Sequence, residues 1–451
     1  MKPFSSSFRD PHGFLFTHEG QLYRGVTDQG KKDFDLFLSS GLYDELVRER
    51  KLIRHEEVKE TFPGASFYKI LRPQPVPFVS YPYEWTFSAL KDAALLTLDI
   101  QKKALKMGLS LKDASFFNIQ FIGSNPVFID TLSFEERGDT PWVAYRQFCQ
   151  HFLGPLLLMQ YAHLGINRHL QSHLDGFPLS LAADLLPLKA KMRPGIFMHI
   201  VMHSFSQKKY KAHSMPFFGL KKQLALVDHL EGLVEGLAMP AKKSGWSHYV
   251  EESSHYSPGA MLFKKDFVSR VLTGLGNISS VWDLGGNTGE FARLSAERGI
   301  MTICFDQDPV SVERNYREAR LHEGLPLLPL VMDLANPTPA IGWGHTERMS
   351  LLERGKADLV LALALIHHLR ISAGIPVKKI VSFLSECANR LIIEFIPKED
   401  PMTSLLLAGR RDIFDDYTQD QFEASFLPHF SMAKREPIPD SKRILYFFEK
   451  K

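Results

Sequence analysis

A chain of 451 residues is long for one domain, so two or three domains are expected. Its make-up, 44% hydrophobic and 23% charged, is that of a globular protein able to bury sizeable cores rather than a disordered or fibrous one. A formal net charge of +3 gives no general basic footprint for nucleic acid, and three scattered cysteines (Cys149, Cys304, Cys387) argue against a zinc cluster or a disulfide framework.

The opening stretch, MKPFSSSFRDPHGF, has no apolar run of the signal-peptide type. The most apolar segment, HFLGPLLLMQYAHLG, is too short and too polar to span a bilayer. A cytoplasmic protein with reduced thiols and no membrane partner is expected.

Up to about residue 140, short strand-like runs (GFLFTH, QLYRGV, SFYKIL, VPFVSY) accompany one strong helix, SALKDAALLTLDIQKKALKMG, whose apolar residues recur at helical spacing. From Trp142 to about Leu237 the pattern is helical and punctuated by prolines. The basic, aromatic run QKKYKAHSMPFFGLKKQ reads as a solvated connection between helices rather than a nucleic-acid patch. From about Gly245, strands alternate with helices to the end: SSVWDLG, MTICFDQD, LPLVMDL, ADLVLALAL, RLIIEFI, FSMAKRE and RILYFFEK. Continuous apolar strands in such alternation predict a mostly parallel sheet covered on both faces. The short polar link between the last two strands predicts a closing antiparallel hairpin.

The first of these strands runs through Val281 and Trp282 to Asp283 and then into glycines, in VWDLGGNTGEF. Gly285, Gly286 and Gly289 let the backbone turn tightly and come close to a ligand before a helix begins near Glu290. Asn287 stands where another glycine often does, and asparagine tolerates left-handed geometry. The spacing is not that of a dinucleotide loop, G-x-G-x-x-G, and a strand-end acid suits an ammonium group better than a pyrophosphate.

Residues 245–451 resemble the class I S-adenosylmethionine (SAM)-dependent methyltransferases, with four segments in the family's order. DLGGNTGEF resembles the loop and acid that hold the methionine portion of the cofactor, which implicates Asp283, Gly285, Gly286, Asn287 and Gly289. CFDQDP resembles the second strand's end, where Asp306 would accept both ribose hydroxyls through one carboxylate; Asp308, before Pro309, reads as a helix cap. VMDLANP resembles the adenine side, with Asp333 receiving the exocyclic amine and Leu334 against the ring. Asp333 also reads as a turn acid. ADLVLALALIHHL resembles the fourth strand, whose end faces the transferred methyl group. Upstream, Tyr256 is the candidate aromatic laid across the cofactor, against simple packing.

His367 and His368 follow a wholly apolar strand at the end where α/β sheets place ligands. An imidazole titrating near neutrality suits removal of a hydroxyl proton, so both are candidate catalytic residues; the alternative is a helix cap or a cofactor contact. No Asn/Asp-Pro-Pro-aromatic motif and no cysteine stand there, which argues against nucleic-acid bases as acceptors. Glu394 in IIEFIPKEDP is a further residue expected to face the acceptor. No metal is expected, because imidazoles without a carboxylate cluster do not suit hard cations.

The amino-terminal half carries LKDASFFNIQFIGSNPVFID. Asp113, Asn118 and Asp130 have the spacing of a kinase-fold catalytic loop and metal-binding acid, and that resemblance implies a base and two metal ligands. Here VPFVSYPYEW reads as a strand entering a hinge. Leu111 stands in place of the usual histidine, DTL replaces D-F-G, and no glycine-rich loop precedes. Arg24 stands where a phosphate-binding lysine would, with Glu45 or Glu49 in a following helix. Turn hydrogen bonds at Asp113 and Asn118 are the plainer alternative, and phosphoryl transfer is not expected.

The whole chain also resembles bacterial methyltransferases related to a host-specificity nodulation protein. The expected architecture is a kinase-like α+β region (1–140), its helical continuation and linker (141–244), and a Rossmann-like seven-stranded methyltransferase domain (245–451). The resemblance implies SAM as cofactor and methyl transfer to an oxygen nucleophile on a small molecule or carbohydrate. A kinase-like binding module with a non-catalytic SAM domain, or a bifunctional kinase-methyltransferase, are the alternatives.

Overall fold

The computed structural model describes residues 1–60, 62, 66–206, 217–240, 256–409 and 411–451. Residues 207–216 of the basic, aromatic run and 245–255 ahead of Tyr256 lie outside them. The chain forms two compact units, Met1–Ala241 with Ala340–Arg348 and Lys242–Pro339 with Met349–Lys451.

The first unit opens with a five-stranded antiparallel sheet: β1 (Lys2–Pro3), β2 (Gly13–His18), β3 (Gln21–Val26), β4 (His55–Val58) and β5 (Lys69–Pro73), in the order β1-β2-β3-β5-β4. Successive strand residues point to opposite faces, so Ile70 packs with Phe16, Tyr23 and Phe62 while Leu71 packs with Val26, Phe34 and Leu132. The expected strand VPFVSY does not form. Pro73, Pro75 and Pro77 remove ladder donors there, and the Ser80 N–H bonds the Gln120 side chain at 2.9 Å instead. The strong helix spans Phe87–Lys106, capped by Thr86, whose hydroxyl accepts from the Ala89 N–H at 3.2 Å. Beyond it come β6 (Leu109–Leu111), β7 (Ile119–Ile122), β8 (Asn125–Phe128) and β9 (Phe134–Glu136), paired β6 with β9 and β7 with β8. Helices follow, ending in Leu220–Glu235, which packs along Phe87–Lys106.

Nothing in composition marks the excursion at Ala340–Arg348. Ile341 and Arg348 exchange backbone hydrogen bonds at 3.1 and 2.9 Å, and Arg9 grips the buried Glu347 through two bonds of 3.0 and 3.1 Å.

In the second unit all seven expected strands form: β10 (Ser280–Leu284), β11 (Met301–Asp306), β12 (Leu327–Val331), β13 (Leu359–Ala362), β14 (Arg390–Phe395), β15 (Phe430–Pro437) and β16 (Ile444–Lys450). Their order is β12-β11-β10-β13-β14-β16-β15; the first five run parallel, and β16 is antiparallel to both β14 and β15. The helix Pro258–Leu275 lays Phe267, Val268, Val271 and Leu272 against Val281, Leu361, Ile392 and Leu445. Because β11 lies on one side of β10 and β13 on the other, strand order reverses at β10. The carboxyl ends of these strands are therefore where such a sheet opens a crevice. Among the described residues, no helix is long and apolar enough to cross a membrane.

Candidate active site

The loop after β10 takes left-handed geometry at Gly285 (φ 80°), Asn287 (φ 49°) and Gly289 (φ 79°). It is sewn onto the end of β11: the Gly285 and Gly286 N–H groups donate to the Phe305 carbonyl at 2.8 and 3.0 Å, and the Asn287 N–H to Asp306 Oδ2 at 2.9 Å. A Cβ on Gly286 would sit 2.4 Å from Cys304 Sγ and 2.5 Å from Asp283 Oδ2, so only glycine lets the loop lie this close. The helix that follows is Glu290–Ala296.

Asp283 is 2% exposed, and its Oδ2 has no hydrogen-bond partner. Burial, with the Asp306 charge adding to it, pushes the Asp283 carboxyl up to about 7. Burial also raises Asp306, against the Asn287 and Asp308 N–H groups that bond its carboxylate. Two desolvated acids, one of them short of a donor, form a site that calls for a cationic or hydrogen-bonding ligand. Asp308 is a helix cap as expected, accepting from the Val310 and Ser311 N–H groups at 3.2 Å each. The Met332 N–H bonds the Asp306 carbonyl at 2.8 Å, which sets the half-buried Asp333 and Leu334 just past the end of β11. Asp333 Oδ1 accepts a turn bond from the Ala335 N–H at 3.0 Å.

After β13 the chain turns through Ala364, whose φ of 49° is uncommon for a residue with a Cβ and is strained by roughly 1–3 kcal/mol. Leu365 then lies against the glycine loop, its Cδ1 3.3 Å from where a Gly285 Cβ would stand. His367 is 1% exposed, with neither ring nitrogen hydrogen-bonded. Burial, reinforced by His368 and Arg443, drives it well below its ordinary value, so the ring is neutral and offers one N–H and one lone pair. The His368 ring lies 4.1 Å from it and is likewise lowered by burial.

Tyr256 and Glu394 meet each other. The Tyr256 hydroxyl donates to Glu394 Oε1 at 2.6 Å, and Lys264 Nζ and Arg443 Cζ stand over its ring, 4.0 and 4.3 Å from the centroid. Glu394 is fully buried, so the expectation that it faces the acceptor is corrected: its second oxygen accepts from Lys264 Nζ at 2.8 Å and from the Ala364 N–H at 3.0 Å. Arg443 in turn pairs with Asp400 at 2.7 and 2.9 Å. Sequence reasoning missed Lys264, Ala364 and Arg443. Lys264 had a signal, since it stands in the apolar stripe Ala260, Lys264, Phe267, Val268, Val271 at helical spacing.

In the first unit, Asp113, Asn118 and Asp130 also come together, but their polar atoms are engaged. Asp113 accepts from the Ser115 N–H at 2.9 Å and from Gln147 at 2.7 Å; burial raises its carboxyl, the Asp130 charge adding to this. Asn118 donates to Ser133 at 3.1 Å. Asp130 accepts from the Leu132 N–H at 3.0 Å and from Ser133 at 2.5 Å, and pairs with Arg24 at 2.6 Å. Glu45 and Glu49 do not accompany Arg24; both pair with Lys103, at 2.5 and 3.0 Å. Among the described residues no group of three or more His, Cys, Asp or Glu could hold a metal ion.

The second unit thus has the Rossmann-like sheet of the methyltransferase type, with its glycine loop and strand-end acids at the point where strand order reverses. No family model matches the chain. Nodulation protein NoeA of Rhizobium meliloti (strain 1021) is 32% identical over 461 residues, covering 99% of this chain and 96% of its own length. The chain belongs to the NoeA family. Among solved structures, magnesium protoporphyrin IX methyltransferase (ChlM) from Synechocystis PCC 6803 with bound SAH is 18% identical, covering 47% of this chain and 90% of that one at a TM-score of 0.32. The bifunctional kinase-methyltransferase WbdD is 17% identical, covering 42% of this chain and 38% of that one at a TM-score of 0.31. At such scores these likenesses add nothing to what the strand order defines.

Proposed function

We propose that the second unit is a SAM-dependent methyltransferase acting on an oxygen nucleophile of a small molecule or carbohydrate. The observation that carries the reading is Asp283, a buried acid whose Oδ2 lacks a donor and stands beside a glycine that admits no side chain. Such a place fits the ammonium-bearing amino-acid portion of SAM. Gly285, Gly286, Asn287 and Gly289 would line that portion, Asp306 would take the ribose hydroxyls, Asp333 and Leu334 would meet the adenine, and Tyr256 would wall the site. SAM, when bound, supplies an electrophilic methyl group. The chain's part is to orient the acceptor and take its proton; His367, its ring neutral and uncommitted, is the candidate, with His368 beside it. The burial that lowers both makes them weaker bases than the near-neutral imidazole expected from the sequence.

For the amino-terminal region, residues 1–244 with the kinase-like part at 1–140, the pairing of Arg24 with Asp130 favours a binding module over a phosphoryl-transfer enzyme, because it occupies the acid that would hold a metal. The protein would work in the cytoplasm. Incubating it with radiolabelled SAM and a cell extract tests the proposal: label should enter a small-molecule or carbohydrate fraction, and His367→Ala should lose it. SAM binding without label in any acceptor would favour the non-catalytic alternative. Full activity that EDTA removes and Mg²⁺ restores would overturn the metal-free reading.

A further inference from the structure

The buried charges around Glu394 have no place in the reading above. Lys264, Glu394, Asp400 and Arg443 are 2%, 0%, 6% and 4% exposed, two cations and two anions inside a hydrophobic sheet domain. Such a group is at best neutral for stability against apolar residues of the same volume, so its stability does not explain it. What it does locally is specific. Glu394 is the hydrogen-bond acceptor for Ala364, the one residue of the β13 turn in left-handed geometry. That turn delivers Leu365 against Gly285 and, two residues later, the unpartnered His367. Lys264 and Arg443 hold the carboxylate in place, with Asp400 anchoring Arg443 and the Tyr256 hydroxyl closing the remaining oxygen.

We infer that Glu394 is a positioning residue: it clamps the Ala364 turn and so sets, through Leu365, the depth of the glycine loop and, through the same turn, the place of His367. The inference rests on the second unit being the SAM site, and Glu394 acts through the turn it holds, both of its oxygens being engaged by protein groups. Its work is to hold a backbone that would otherwise relax out of the left-handed region. Glycine adopts that region freely, so a glycine at position 364 should make the clamp dispensable.

The test is a set of folded full-length variants titrated with SAM. Glu394→Leu removes the acceptor, and Glu394→Asp keeps a carboxylate but shortens its reach. Each should weaken SAM binding about tenfold or more, the scale of a lost hydrogen bond to a buried carboxylate. Adding Ala364→Gly should restore most of the loss in either background, which a general loss of packing would not allow. Unchanged affinity in a folded Glu394 variant, or no recovery with glycine, would overturn the inference. Should neither Glu394 variant fold, hydrogen exchange on the unmodified protein decides. The Ala364 amide should exchange as slowly as the amides of β13, and exchange at the rate of an open loop would overturn the clamp. If the unmodified protein does not bind SAM at all, the methyltransferase reading fails, and the exchange measurement still judges the clamp alone.

Discussion

Each unit of the molecule carries two close acids. Three of the four receive donors from the fold, Asp306 from the Asn287 and Asp308 N–H groups among them, and one oxygen of Asp283 does not. In the first unit Asp113 and Asp130 receive donors from Ser115, Gln147, Leu132, Ser133 and Arg24, all supplied by the fold. In the second, Asp283 Oδ2 has none, and burial with the Asp306 charge beside it pushes the carboxyl up to about 7. An acid that the fold satisfies is structural, whereas one that it buries and leaves short is held ready for something else. The contrast teaches that the spacing of acids in sequence identifies a place in a fold, while their donors decide whether the place is open for use.

Breaking the open site should have the largest effect. Gly286→Val would drive a branched side chain into Cys304 and Asp283, and SAM binding should fall by roughly a hundredfold or more. A folded variant that binds normally would remove the loop from the site. Next comes Asp306→Ala, expected to weaken binding by about 1.5–3 kcal/mol through lost hydrogen bonds to a charged acceptor, measured by the same titration.

A pH series sharpens the comparison at a smaller scale. The folded Asp283 carboxyl is raised to about 7, and a cationic ligand favours its ionised form. Affinity for SAM should therefore be present above pH 7 and be lost as pH falls through it, by about tenfold between pH 8 and pH 6. Asp283→Asn should bind weakly and without that slope; the same slope in the variant would assign it to another group. For stability the sign is the reverse. A raised acid destabilises the fold increasingly as pH rises from the ordinary carboxyl range to about 7.

The smallest expected effect on SAM is that of the closed site. Asp130→Asn should destabilise the first unit by about 1–3 kcal/mol, followed by hydrogen exchange, and leave SAM affinity within about twofold.

Much of the second unit was legible. Seven apolar strands in alternation with helices, and acids at their ends, fix a sheet and its working edge, because burial on both faces forces continuous apolar runs. The capping role of Asp308 and the left-handed Asn287 followed from local chemistry alone. What was not legible depends on which atoms meet across distant segments. Glu394 in an apolar strand was visible as an oddity, but its partners come from a helix 130 residues earlier in the chain and from the β13 turn. The excursion of Ala340–Arg348 into the first unit has no signature either, since it is held by Arg9 at the far end of the sequence. VPFVSY has the apolar content of a strand, but in the fold the donors that the prolines in and before it lack decide against one.

The most direct test of the contrast is to titrate one preparation of the full chain with SAM and then with ATP and Mg²⁺, by calorimetry. One saturable SAM site per chain and no magnesium-dependent ATP binding are expected, because Asp283 Oδ2 has no donor and Asp130 already has Arg24. Magnesium-dependent ATP binding that vanishes in Asp130→Asn, or the absence of SAM binding, would contradict the contrast.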